Sequence, residues 1–269
     1  MIRKITEKEY NEAPGVRRSA LFNMAKSPAH YKWSLDHPAK ETPALMFGRA
    51  LHCCVLEPEV FESTYAVAPS VSKATKAGRE AWAIFEADAA GKEIISEADF
   101  YKCLAIRESI MNHPQARLLL EGPHETSYFW TDELTGLECK IRTDAETDIS
   151  KSHIIVDVKT CLDASTEAFT KAMIKHGYDL QVGMYTEGVE KCTGQKPLFV
   201  FIAVEKDPPY AVNVLGVDEY VVLRGKDLFR EYLGKVAECE KTGNWYHYNG
   251  PDGDVNDLSL PAYLQKQYE

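Results

Sequence analysis

The stretch IRTDAETDISKSHIIVDVKT, residues 141–160, decides how this chain reads. Its second half, His153–Thr160, is a run of β-branched residues broken by Asp157 and Lys159, and it predicts a strand. Strand side chains alternate faces, so Ile154, Val156 and Val158 fill one face while Asp157 and Lys159 share the other. The first half ends a neighbouring strand, Leu137–Thr147, on which Lys140, Arg142 and Asp144 share a face by the same alternation. If the two strands pair, Asp144 approaches Asp157. Two carboxylates that close repel unless a cation lies between them. A hard divalent ion such as Mg²⁺, which prefers oxygen ligands and keeps waters for a substrate phosphate, meets that need, and Lys159 would stand one pleat along. Such a group suits phosphodiester hydrolysis. Taken alone, however, a D-x-K on a strand is commonly a surface ion pair worth little.

Outward from this stretch, Glu125–Thr131 and the turn Asp132–Gly136 complete an antiparallel hairpin with Leu137–Thr147. Upstream the chain reads as helices: Arg17–Lys26, a segment opened by Ser27-Pro28, then, after a polar break at Asp36–Pro43, Ala44–Leu56. That last helix places Leu45, Gly48, His52 and Val55 on one face, and Pro58 closes it. Ala74–Ala90 and Ser96–Asn112 follow as helices. Downstream come helices Asp163–Lys175 and Tyr178–Lys191, strands Lys196–Glu205 and Tyr210–Val217, and a long helix Asp218–Lys241. Gly243–Glu269, rich in turn residues around Trp245, Tyr246 and Tyr248, is expected to wrap the surface as a tail. The expected fold class is α/β in the mixed α+β sense, a mixed sheet flanked by helices with a helical N-terminal region. A single domain is expected over 1–269, with its helical part at about 1–120, its sheet core at about 121–242 and its tail from about 243.

With 269 residues and 45% hydrophobic content the chain can bury one sizeable core without staples. It has no apolar run long enough for a membrane helix and a charged start, which predicts a soluble, cytoplasmic protein with no membrane partner. Seven cysteines without CxxC spacing fit reduced thiols. The formal net charge of −10 argues against an open basic surface for nucleic acid. Lys73, Lys76, Arg79, Lys171 and Lys175 could line a DNA path, although scattered solvated charge is the simpler reading of each.

Several further segments, in chain order, give the D-x-K its context. ALMFGRALHCCVLEP holds Gly48 and His52, ETSYFW opens on Glu125, and Arg142-Thr143-Asp144 precedes Asp157-Val158-Lys159 and then Gln181-Val182-Gly183-Met184-Tyr185. Together they resemble the PD-(D/E)xK nuclease superfamily, and within it the exonuclease VIII (RecE)-like and RecB-like recombination exonucleases of phage or prophage origin. The resemblance runs from about Ser27 to about Gly188, with Thr143 where that group has proline. It implies a restriction-endonuclease-like core and Lys159, Asp157, Asp144 and Glu125 as catalytic residues. His52, Asp144, Asp157, Glu125 and the Val158 backbone carbonyl would hold Mg²⁺, with Mn²⁺ as a substitute, and Gln181, Tyr185 and Arg142 would contact DNA. Relatives that carry an iron–sulfur cluster hold it with clustered downstream cysteines, so none is expected here. Processive 5′-to-3′ digestion of one strand from duplex ends is implied, along with a ring-shaped trimer or tetramer and a single-strand annealing (RecT-like) partner in the bacterial host cytoplasm. An endonuclease, a 3′-directed or single-strand-specific nuclease, and a non-catalytic DNA-binding or assembly module stay open beside it.

Overall fold

The computed structural model describes residues 1–38 and 40–268. Ala39, inside the expected polar break, and Glu269, the end of the expected tail, lie outside the described residues. The strands are β1 (Ile2–Arg3), β2 (Tyr65–Val67), β3 (Glu93–Ile95), β4 (His124–Thr131), β5 (Glu138–Ile149), β6 (Ser152–Cys161), β7 (Leu198–Glu205) and β8 (Val212–Gly216). The N-terminal helices are α1 (Glu7–Glu12), α2 (Arg18–Leu21), α3 (Pro28–Asp36), α4 (Pro43–Leu56), α5 (Pro58–Thr64), α6 (Lys76–Asp88), α7 (Glu97–Asn112) and α8 (Pro114–Leu119). The remaining helices are α9 (Thr166–His176), α10 (Tyr178–Thr193), α11 (Glu219–Thr242) and α12 (Ala262–Gln265).

Six strands form one mixed sheet in the order β1-β4-β5-β6-β7-β8, with β6 and β7 parallel and the other neighbours antiparallel. The β6–β7 pair is parallel because α9 and α10 carry the chain back over the sheet between them, as a parallel connection requires. The two faces build two cores. On one, Ile155, Phe199 and Phe201 pack with Leu180, Met184 and Phe229 beneath α10 and α11. On the other, Val156, Val158 and Ile202 pack with Leu51, Val55, Ile106 and Ile110 beneath α4 and α7. The alternation expected of His153–Thr160 is therefore realised, with its apolar face under α4 and α7.

The N-terminal region departs from the purely helical expectation. β1 adds a strand to the sheet edge, and β2 pairs in parallel with β3 as a separate two-stranded ribbon; strands of two or three residues are too short to show a period. The helix expected over Arg17–Lys26 is only one turn of α2 followed by a 3₁₀ turn at Phe22–Ala25. Arg17 offers no side-chain cap, and Asn23 Nδ2 donates back to the Ala20 carbonyl at 3.2 Å, competing with continued α-geometry. In α4 the buried ridge is Ala50, Leu51, Cys54 and Val55, whereas Leu45 is 55% exposed. The expected face is thus rotated about the helix axis, and His52 lies at the margin between core and solvent. Trp245, within the expected tail, stacks on Tyr31 at 5.8 Å.

Candidate active site

The site forms where the sheet's hydrogen-bond ladder opens. The β5–β6 ladder runs from Ile149↔Ser152 to Ala145↔Val156. One residue further along β5, the Asp144 carboxylate accepts the Val158 N–H at 2.8 Å in place of a backbone partner. A strand residue turns its N–H and C=O to the same edge, so the Val158 carbonyl faces this gap as well. On the other side of β5 the ladder pairs His124↔Ala145 and Thr126↔Thr143. Between them Glu125 takes a left-handed φ of 55°, a conformation that costs a non-glycine residue on the order of 1 kcal/mol. Such local strain is characteristic of functional positions.

Asp157 is 2% exposed. Its Oδ1 accepts the Gln181 side-chain amide, and its Oδ2 meets Lys159 Nζ. Burial pushes its carboxyl up, the Lys159 ammonium pulls it back, and Asp144 adds to the upward push. Lys159 is in turn 5.2 Å from the centroid of the Tyr178 ring. His52 reaches Asp144 from α4, its Nδ1 3.5 Å from Oδ2. Arg142 pairs with Glu125, whose carboxyl is pushed up to about 8 by burial and by Asp144, against the pull of Arg142.

Of the expected residues, Asp144, Asp157, Lys159, Arg142, Gln181 and Tyr185 line one cavity of about 270 Å³. His52 and Glu125 flank it through Asp144 and Arg142. Gln181, expected to touch DNA, donates its side-chain amide to Asp157 Oδ1. The surrounding core pushes the Tyr185 phenol well above its ordinary range. Among the basic residues considered for a DNA path, Lys73 pairs with Glu86, Lys76 with Glu80 and Lys171 with Glu167.

Among the described residues no three acidic, histidine or cysteine side chains stand at ligand spacing, and Glu125 and Asp157 each meet a cation, Arg142 and Lys159. The donor chemistry nonetheless fits a divalent cation. Two carboxylates, one of them pushed toward its neutral form by burial and further by the other, lie beside a strand carbonyl and an imidazole, and an added cation would favour its ionised form.

Sequence reasoning missed the contribution of the N-terminal segment. Tyr10, Asn11, Arg17, Arg18 and Ser19 complete the cavity wall. The one visible signal was the Arg17-Arg18 pair ahead of an apolar run in an acidic chain.

A mixed sheet whose central strands part to present an aspartate from one and D-x-K from the next, with a glutamine on the covering helix, defines the PD-(D/E)xK nuclease superfamily. The chain belongs within it to the family of PDDEXK-like domains of unknown function (DUF3799), whose model matches residues 18–251. Among solved structures it is similar to a protein from Eubacterium rectale described as a "putative exonuclease". The two share 16% identity over 98% of each chain with a TM-score of 0.62, which is a likeness of fold. A further structure, SSO0001, shares 12% identity over 69% of this chain and 87% of its own, and its TM-score of 0.30 carries no argument. No curated protein matches the chain. Among the described residues no helix is long and apolar enough to cross a membrane.

Proposed function

We propose that this protein is a Mg²⁺-dependent deoxyribonuclease that digests one strand of duplex DNA from its ends in the 5′-to-3′ direction, with Mn²⁺ as a substitute metal. The observation that carries the reading is the joining of Asp144, Asp157, Lys159 and Gln181 at the opening of the β5–β6 ladder, in a cavity bordered by arginines. Asp144, Asp157, the Val158 carbonyl and His52 would hold the metal, with Glu125 adjoining it. When bound, a divalent ion supplies electrophilic stabilisation of the phosphoryl group and makes water a competent nucleophile at neutral pH. The rest falls to the side chains. Gln181 fixes one oxygen of Asp157 and so orients the other. Lys159, placed by its ion pair with Asp157, donates through Nζ to a phosphoryl oxygen and offsets the negative charge that grows there. Arg142, steadied by Glu125, holds a neighbouring phosphate. A 3′ overhang would remain for a single-strand annealing protein, and a ring-shaped trimer or tetramer in a bacterial cytoplasm would keep the enzyme on its strand.

Incubation with Mg²⁺ of linear duplex labelled at the 5′ or the 3′ end, beside covalently closed circles, tests this. Early release of the 5′ label with intact circles is expected. Circles cut as fast as linear duplex would remove the exonuclease claim, and no cleavage of any DNA with Mg²⁺ or Mn²⁺ would remove the nuclease.

A further inference from the structure

Among the described residues two cations of the cavity stand outside any ion pair. Arg142 is paired with Glu125 and Lys159 with Asp157. Among the described residues neither Arg17 nor Arg18 forms an ion pair: Arg17 Nη1 donates to Asn11 Oδ1 at 3.1 Å and Arg18 Nη2 to the His176 carbonyl. Arg18 Nε is buried with no partner. Two adjacent guanidiniums without an ion pair thus border the carboxylate cavity of a chain of formal charge −10. Their planar donor forks match phosphate oxygens.

The segment that carries them is tied to β5 with unusual care. Val16 N–H donates to the Glu138 carbonyl at 2.7 Å, and Lys140 N–H to the Val16 carbonyl at 3.0 Å. The Lys140 side chain, 2% exposed, sends Nζ to the carbonyls of Tyr10 at 2.7 Å, Asn11 at 3.4 Å and Ala13 at 2.5 Å. A buried ammonium is costly unless its donors are met, and here all three meet one stretch of backbone. Burial and Arg17 draw its pKa down to about 8, which leaves the ammonium form dominant at neutral pH.

We propose that residues 6–19 are a substrate-binding arm in which Arg17 and Arg18 grip phosphates of the DNA strand entering the cavity, and that Lys140 is the positioning residue that fastens the arm to β5. The identity of the substrate rests on the nuclease reading above. DNA affinity should then depend on the arm even without cleavage. The test is fluorescence anisotropy of labelled duplex in EDTA across a salt titration. Each lost phosphate contact lowers the slope of log K against log salt by about 0.9. The Arg17→Gln/Arg18→Gln variant is expected to lose about two from that slope, uniformly across sequences, and to raise KM more than it lowers kcat. Lys140→Met is expected to reproduce the slope loss and to speed amide exchange in residues 6–19 at least about tenfold while β6 and β7 are unchanged. Lys140→Gln serves where methionine prevents folding.

An unchanged slope in the double arginine variant overturns the phosphate grip. Unchanged exchange and slope in the Lys140 variants overturn the clamp. A wild-type protein that binds with the full slope but cuts nothing overturns the nuclease reading and leaves the arm standing. One that cuts while the double variant keeps its slope overturns the arm alone.

Discussion

Asp157 shows what a single residue can and cannot declare. Its place beside Lys159 on one strand face is legible from alternation, but its burial and its hydrogen bond from Gln181 are not, because α10 reaches it only after the chain has folded back. Asp157→Asn is expected to lower DNA degradation by roughly 10²-fold or more, and Lys159→Ala by a similar factor. Because a buried, upward-shifted carboxyl opposes folding, Asp157→Asn should leave the thermal midpoint equal or higher. Wild-type cleavage rates in either variant would show the site to be misassigned. A second buried carboxylate, Glu146, lies away from the cavity and accepts Tyr128 Oη at 2.8 Å and Thr143 Oγ1 at 2.6 Å, with His153 Nε2 3.4 Å away. The link to Glu146, helped by Asp148 and opposed by burial, raises the His153 pKa. A raised folded pKa means that the stabilisation is complete below the free-histidine value of about 6.5 and is lost as pH climbs through the folded value. The unfolding midpoint should therefore fall from mildly acid to mildly alkaline pH, and His153→Gln should flatten that fall in a pH series of melts.

At the scale of elements, two glycines separate packing from mere presence. A Cβ on Gly183 of α10 would lie 2.0 Å from the Gly225 carbonyl carbon of α11, so the two helices cross at backbone contact. Gly183→Ala should destabilise by roughly 3 kcal/mol, the upper range of overpacking, because backbone cannot swing aside as a side chain can. Gly48, one turn before His52 in α4, has nothing within 4 Å of a Cβ. Gly48→Ala should raise stability by roughly 1 kcal/mol through helix propensity alone. Chemical denaturation of both checks the pair, and a stabilised Gly183→Ala would contradict the crossing. The long elements were readable because their periods repeat. The margin position of His52 was not, since a helical period of apolar residues does not state which neighbour the ridge will meet.

For the whole molecule the question is how a chain of net charge −10 handles a polyanion. Four cations, Arg17, Arg18, Arg142 and Lys159, line the cavity, whereas Lys73 and Lys171 are paired with glutamates away from it. DNA binding should accordingly be steep in salt, and charge-neutralising changes at Lys73 or Lys171 should leave the salt slope unchanged in the same anisotropy titration. A closed ring would gather several such cavities around one duplex. Sedimentation at micromolar protein is expected to show a trimer or tetramer, and a monomer throughout would remove the ring from the proposal.

The sequence by itself determined the strand that carries Asp157 and Lys159, the hairpin before it, and the helix that bears Gln181 and Tyr185, because each is a local pattern of period or spacing. It also determined the order of motifs in the chain. Only the tertiary structure decided that the β5–β6 ladder opens at Asp144, that Glu125 turns out of its ladder, and that Gln181 is committed to Asp157. It alone brought Arg17 and Arg18 across to the cavity through a buried Lys140. These are contacts between residues far apart in sequence, set by strand register and by the need to satisfy buried polar groups, and no local pattern encodes them.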